Sequence, residues 1–156
     1  MKNAGFTLIE LVVTVLIVAI LATGAVPIMQ LTIQRNKEIE LKQALRQIRE
    51  AIDLYKKASD EGKVKKTLDQ SGYPPSLDVL EHVVNNQMDV KSKVIKFIRK
   101  IPRDPMNNDA DLKPADTWAK RCYAIDVLSP TEGEDVYDIH SLSTKKAING
   151  TLYNSW

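Results

Sequence analysis

An uncharged stretch near the N-terminus constrains this chain more than any other feature. It runs from Leu11 to Val26, and the apolar residues begin before it, at Phe6. As a helix, Phe6 to Val26 would measure ~32 Å, enough to cross the ~30 Å hydrocarbon core of a bilayer. A backbone in lipid must satisfy its hydrogen bonds internally, so a helix is predicted despite the many β-branched residues. A cleaved secretory signal would have a shorter apolar core, of roughly 7–15 residues.

Glu10 lies at the start of this stretch, where a plain membrane anchor would carry no charge. A carboxylate in such surroundings is costly and normally has a partner. If the chain were cut after Gly5, Phe6 would carry a free α-amino group and Glu10 would be the fifth residue. The ammonium of one subunit would then neutralise the Glu10 of its neighbour, which offsets the desolvation of both charges. Such pairing would also set a fixed axial offset between subunits.

Gly24 and Pro27 lie at the end of the apolar stretch. Proline lacks a backbone donor and disrupts the preceding turn of a helix, and a nearby glycine loosens the helix further. Two interpretations stay open. The two residues mark the end of a membrane helix, or they form a hinge.

Beyond Pro27 the apolar residues become periodic. Between residues 41 and 55 they recur at spacings of four, three, four and three, which predicts one buried helix face: Leu41, Leu45, Ile48, Ile52 and Tyr55. No glycine or proline interrupts residues 28–60, so one helix of about 50 residues starting at Phe6 is predicted. The opposite face is predicted to be solvated or to make ionic contacts between subunits: Lys37, Glu38, Lys42, Arg46, Arg49 and Asp53.

The rest of the sequence predicts a small head. Ser76 is the predicted N-cap of a short helix with a buried face of four residues, Leu77, Leu80, Val83 and Val84. A second helical stretch is predicted at residues 93–100. Alternating patterns predict strands at 121–128 and 136–142, joined by a turn at 129–133 into a hairpin. The predicted fold class is α+β, a long N-terminal helix packed on a small antiparallel sheet.

Composition argues against several classes of function. The net charge is only +2, with 22 basic and 20 acidic residues, so no nucleic-acid partner is expected. Cys122 is the one cysteine, which excludes an intramolecular disulfide. The sequence has no phosphate loop, paired-histidine metal motif or glycine-rich dinucleotide turn, so no enzyme is expected. A group of carboxylates could hold a metal, but such a group is more typical of a solvated surface: Glu132, Glu134, Asp135 and Asp138.

The segment Gly5-Phe6-Thr7-Leu8-Ile9-Glu10 resembles the class III signal sequence of type IV pilins and pseudopilins. The resemblance implies that a prepilin peptidase cleaves after Gly5 and methylates Phe6, and that Glu10 guides assembly. It also implies that the helix can melt around Pro27, next to Gly24, when subunits leave the bilayer. The chain would then comprise four parts: a leader peptide (1–5), a transmembrane assembly helix (6–27), the periplasmic half of the long helix (28–60) and a globular head (61–156).

Later segments are similar to those of the major pseudopilins of type II secretion systems. They occur in the expected order and include Tyr73-Pro74-Pro75-Ser76-Leu77, Ile101-Pro102-Arg103-Asp104-Pro105 and the final Asn154-Ser155-Trp156. This resemblance implies a single-pass inner-membrane protein with a periplasmic head, assembled into a periplasmic pseudopilus. Its implied partners are further copies of itself, a prepilin peptidase, an inner-membrane assembly platform, minor pseudopilins and lipid. Two alternatives stay open, a type IV pilin of a surface fibre and a membrane-tethered periplasmic binding module.

The resemblance also implies a calcium site, held by aspartates in the loop before the terminal tryptophan. In this chain the loop comprises residues 143–152 and has no acidic residue but two lysines, Lys145 and Lys146. Calcium prefers several anionic oxygens, so we predict that the site is lost and that no cofactor is bound. The polar loop at 103–116 is a second departure from the family pattern.

Overall fold

A computed structural model of the chain describes residues 5–67, 70–88, 94–124 and 133–156, and of residues 24–27 it describes only the helical backbone. Two α-helices and four short strands occur in this part: α1 (Leu8–Asp60), α2 (Asp78–Glu81), β1 (Val84–Asn85), β2 (Val94–Ile95), β3 (Trp118–Arg121) and β4 (Asp138–Ser141). Two short 3-10 helices lie at Pro114–Thr117 and Tyr153–Ser155. The chain divides into two compact units, Met1–Asn36 and Lys37–Trp156. We call them the N-terminal unit and the head unit.

The long helix is confirmed. α1 has 53 residues and begins two positions after Phe6, at Leu8. In the head unit its predicted apolar face is buried, with Leu41 and Ile48 both at 0% exposure. In the N-terminal unit the described side chains of the same helix are exposed, apart from the half-buried Gln34. Packing against the head therefore stabilises only the later part of α1.

The end of α1 is set by Gly62. Its φ of +73° is a left-handed conformation that a glycine adopts without steric cost. The N–H of Lys63 donates to the carbonyl of Ala58 at 2.9 Å, and the N–H of Gly62 donates to that of Ser59 at 3.0 Å. These two bonds form a Schellman motif, which satisfies carbonyls that the last helical turn leaves open. The helix therefore ends at Asp60, two residues before this glycine.

The described strands of the head unit form two antiparallel pairs. β1 pairs with β2, and β3 pairs with β4 in a register that runs from Trp118 opposite Ser141 to Arg121 opposite Asp138. Trp118 and Ile139 contribute buried side chains from the second pair to the core around α1. The α+β class is confirmed, a long helix against small antiparallel sheets.

Three predictions about the helices of the head were wrong. The stretch at 93–100 is not helical where it is described, because Val94–Ile95 pairs with β1 and the N–H of Ile98 donates to the carbonyl of Leu80. A helix of eight residues is marginal on its own, and tertiary pairing overrides it. Ser76 does not cap α2, since Leu77 holds that position without a side-chain hydrogen bond. Val83 is 57% exposed instead of buried, because the chain becomes extended at His82.

The predicted hairpin strands are shifted. The first strand is β3, at Trp118–Arg121, and a turn follows at residues 123–124, where the alternation had suggested strand. The predicted pairing partner is confirmed as β4, within the expected 136–142. Residues 125–132, which include most of the predicted turn, lie outside the described residues.

Candidate functional site

The peptide bond between Gly5 and Phe6 precedes the helix. Both residues lie outside α1, which begins at Leu8, and the Phe6 side chain is 81% exposed. A β-carbon at Gly5 would meet no other described atom within 4 Å. This segment is exposed and outside regular secondary structure, and such segments are where proteases cleave most readily.

Thr7 and Glu10 cap the start of α1 together. The hydroxyl of Thr7 donates to Glu10 Oε2 at 3.2 Å, and the N–H of Thr7 reaches the same oxygen at 3.4 Å. In return the N–H of Glu10 donates to Thr7 Oγ1 at 3.3 Å. This reciprocal pattern is a capping box. It was not predicted above, although the Thr-x-x-Glu spacing before an apolar run is its sequence signal.

The capping box holds the Glu10 carboxylate at a defined place. Among the described residues its hydrogen bonds use Oε2, and a carboxylate can accept about four in total. The carboxylate therefore keeps acceptor capacity for a further donor. It lies in the first turn of the helix, where the unpaired N–H groups favour a negative charge.

The N-terminal unit has an apolar surface that nothing in its described part covers. α1 is the one described helix that is long and apolar enough to cross a membrane. Between Leu8 and Leu21 every large apolar side chain is exposed, including Ile9 at 69% and Leu21 at 69%. The predicted hinge residues, Gly24 and Pro27, fall where side chains lie outside the described residues, and the helical backbone continues through them. The hinge stays a prediction.

Glu38 corrects one sequence expectation. It was placed on the solvated face of the long helix, but it is only 9% exposed. Its Oε1 accepts hydrogen bonds from the hydroxyl of Tyr153 and from the N–H of Ile148, both at 2.8 Å. A buried carboxylate is tolerated when such donors replace its water. Glu38 thus fastens the loop at 143–152 to α1.

Arg49 anchors the C-terminal residue on the same helix. Its Nε donates to Asp138 Oδ1 at 2.7 Å, and its Nη2 donates to the main-chain oxygens of Ile139 and Trp156 at 3.0 and 2.9 Å. The Nζ of Lys42 lies 4.5 Å from the centre of the Trp156 ring, a cation–π contact. These contacts join β4 and the end of the chain to α1.

The described members of the acidic group are partly committed to protein contacts. Asp138 pairs with Arg49, and Asp135 accepts hydrogen bonds from Ser71 and from the N–H of Tyr123. Burial by itself raises the pKa of the Asp135 carboxyl, but hydrogen bonds from Ser71, Cys122 and Tyr123 outweigh it and the pKa is lowered. No group of three or more metal-ligating side chains occurs among the residues described. Glu132 lies outside them.

Comparison with known proteins decides the family. Residues 1–26 match the model of the prokaryotic N-terminal methylation motif. The chain is 32% identical over 123 residues to the type II secretion system core protein G of Vibrio cholerae, and the match covers 74% of both chains. The chain belongs to the core protein G family. No solved structure matches the chain significantly.

Core protein G members are pseudopilins, a structural class and not a catalytic one. The match therefore agrees with the absence of catalytic motifs from the sequence. The long helix on small antiparallel sheets is the fold expected of a pilin-like core protein G chain.

The C-terminal loop of this core protein G chain is held by its own hydrogen bonds. The N–H of Ala147 donates to the carbonyl of Thr151 at 2.8 Å, and the N–H of Gly150 donates to that of Ala147 at 2.9 Å. Gly150 has a φ of +84°, which suits the Asn-Gly turn. These bonds, together with those that Ile148 and Tyr153 donate to Glu38, hold the loop in place by contacts within the protein.

Proposed function

We propose that this chain is the structural subunit of a periplasmic pseudopilus that drives protein export through a type II secretion system. Membership of the core protein G family supports this proposal. The observation that carries it is Glu10, a carboxylate held at the start of an uncovered apolar helix. An isolated anchor has no use for such a charge, whereas a subunit that must pair with its neighbour does.

Maturation begins with cleavage after Gly5 by a prepilin peptidase, followed by methylation of the new N-terminus at Phe6. Residues 1–5 are the leader on the cytoplasmic side, and residues 6–27 span the inner membrane. Residues 28–60 and the head at 61–156 are periplasmic. The exposed Gly5–Phe6 segment supports this order of events, because the bond is accessible before the helix begins.

Assembly joins the α-ammonium of Phe6 in one subunit to the Glu10 carboxylate of the next. Inside an apolar filament core, each charge left alone would be strongly destabilising, and pairing offsets that cost. The capping box leaves Glu10 with acceptor capacity while fixing its position. Once neutralised, the paired helices leave lipid for the filament, and a hinge at Gly24 and Pro27 accommodates the change.

Other components supply what this chain does not carry. An assembly platform in the inner membrane receives the subunits, minor pseudopilins accompany the filament, and a cytoplasmic ATPase supplies energy. Lengthening of the filament pushes folded substrates towards an outer-membrane pore. The contacts of this chain in that process are with further copies, with the peptidase and platform, and with lipid.

Two other functions are compatible with the same sequence. A type IV pilin would form long surface fibres at native expression. A tethered binding module would keep its N-terminus and would not self-associate. The first measurement is the intact mass and the N-terminal peptide mass of protein purified from native membranes. A chain starting at Phe6 supports processing and assembly, and a chain that keeps residues 1–5 contradicts them.

A further inference from the structure

Two rows of side chains follow the exposed surface of α1 in the head unit. The basic row contains Lys42, Arg46 and the half-buried Arg49. The second row is exposed and recurs at spacings of three and four: Glu40, Gln43, Gln47, Glu50 and Leu54. At 3.6 residues per turn the two rows differ in direction by about 110°, and each lies more than about 100° from the centre of the buried face. We call the second the acidic row.

The basic row borders a groove. It has a volume of about 360 Å³ and is lined by Lys42, Leu45, Arg46, Arg49 and Trp156. Arg49 is committed to Asp138, and Lys42 lies over the Trp156 ring. Arg46 donates only to the carbonyl of Lys42, at 3.3 Å, and forms no ion pair with any residue that the structure describes. The groove thus combines an apolar floor with a guanidinium that lacks a carboxylate.

Among the described residues, the acidic row carries carboxylates that lack a cation, whereas the groove carries a cation that lacks a carboxylate. Glu40 and Glu50 are exposed and form no ion pair with the described part of the chain. Leu54 is 47% exposed, although it lies on the helix that carries the core of the head unit. Glu50 and Leu54 are four residues apart, so they are neighbours on the helix surface. One carboxylate beside one apolar side chain is the complement of the groove.

We propose that the two rows are the two halves of a contact between copies of this chain. The acidic row of one subunit docks on the groove of the next, with Glu50 near Arg46 and Leu54 on Trp156. Since the rows lie on different flanks of the helix, the contact is heterologous and each subunit can bind one neighbour on each side. This inference rests on the proposed function and deepens it, because it gives the head unit its own contact beside that of Glu10.

A test must separate contacts between chains from contacts within one chain. Arg46 and Glu50 are four residues apart, so they can also form a weak internal pair. Two variants of the full-length chain avoid this ambiguity. Variant A carries Lys42→Glu and Arg46→Glu, so both of its rows are acidic. Variant B carries Glu40→Lys and Glu50→Lys, so both of its rows are basic.

Each variant is expressed alone, and then both together, with the rest of the secretion machinery. Filament yield is measured in the sedimentable fraction. Alone, each variant is expected to lose about tenfold or more in yield, because like charges meet across the contact. Together, A and B are expected to assemble as mixed filaments with about wild-type yield, since each acidic row again meets a basic row. An internal pair cannot explain rescue in trans.

Lys100→Glu is the matched control, because Lys100 is exposed and lies outside both rows. Folding of each variant is checked by near-ultraviolet circular dichroism of the full chain in detergent. If variant A does not fold, Arg46→Glu and Glu50→Lys in separate chains replace the two variants. Normal assembly of either variant alone, or failure of folded A and B to assemble together, overturns this contact. Absence of filaments from the wild-type chain would overturn the proposed function as well.

Discussion

Two glutamates of the same helix differ in almost every physical respect. Glu10 lies in the N-terminal unit, at the exposed start of an apolar stretch, where its described hydrogen bonds are to Thr7 only. Glu38 lies in the head unit, 9% exposed, and accepts donors that come from residues more than 100 positions away. A carboxylate satisfied within its own fold stabilises that fold. A carboxylate in apolar surroundings with acceptor capacity left is suited to a contact with another molecule.

The largest expected effect is on assembly, from Glu10→Gln. Glutamine can replace glutamate in a capping box, so this change keeps the helix start but removes the charge. Since the proposed pairing with the neighbour's ammonium requires that charge, we expect filament yield to fall below detection, as it should with Glu10→Ala. Filaments are measured in the sedimentable fraction, and cleavage at Gly5 is measured by mass. Both variants are expected to stay in the membrane fraction.

If Glu10→Gln forms filaments at the wild-type level and only Glu10→Ala loses them, the proposed charge pairing of Glu10 is wrong. That result would mean that Glu10 acts through the capping box and not through its charge. The comparison between the two glutamates would then fail, because both would serve the fold of their own chain.

The next effect is on the stability of the head unit, from Glu38→Ala. The change removes the acceptor of the Tyr153 hydroxyl and the Ile148 N–H. We expect a loss of about 2–3 kcal/mol in the free energy of unfolding, since buried donors left unsatisfied are costly. Thermal unfolding in detergent, followed by near-ultraviolet circular dichroism of the two tryptophans, measures it. Processing after Gly5 should not change.

Tyr153→Phe is the matched control for this prediction. It removes the hydroxyl but keeps the ring, so it should cost less than Glu38→Ala, about 1 kcal/mol. An unfolding temperature of Glu38→Ala equal to that of the wild-type chain would show that the buried carboxylate does not hold the loop.

The two glutamates also show how far the sequence could predict the structure. The exposed position of Glu10 at the start of the apolar helix was predictable, because a charge next to a membrane-length apolar run is conspicuous whatever the head does. Its function in assembly stays a prediction. The burial of Glu38 was not predictable, because the helical pattern placed it beside Lys37 and Lys42, and its hydrogen-bond partners Ile148 and Tyr153 are more than 100 positions away in the sequence. The helix periodicity identified the core face but carried no information on what packs at its edge.

The strands of the head also show that a local sequence pattern predicts an element but not its partner. Alternation predicted a pair of antiparallel strands correctly, but it placed the first one at 121–128, whereas the pairing with β4 uses Trp118–Arg121. Register depends on which residues meet across the pair, and a single strand does not specify this. The stretch at 93–100 was misassigned for a related reason, since its partner is β1.

A smaller effect concerns His140, whose pKa is lowered by burial and by the nearby Arg121 and Arg49, against the opposing effect of Asp138. The unfolded chain therefore binds a proton more readily than the folded one. Stability is fully present above pH ~6.5, the usual histidine value, and decreases as the pH falls towards the lower folded pKa. We expect the unfolding temperature to fall between pH 7.5 and 5.5 by less in His140→Gln than in the wild-type chain. His82→Gln, at an exposed residue, is the control and should behave as the wild-type chain does.

The smallest expected effect is that of calcium on the head unit. The loop at 143–152 contains no carboxylate, carries Lys145 and Lys146, and is closed by hydrogen bonds of Ala147 and Gly150 and by the two donors to Glu38. Because protein atoms satisfy these groups, a cation has little to add, and two lysines would repel it. Addition of calcium or of a chelator should leave the unfolding temperature unchanged. A calcium-dependent rise would mean that ligands elsewhere in the head unit hold the ion, and Glu38→Ala measured with and without calcium would show whether Glu38 is one of them.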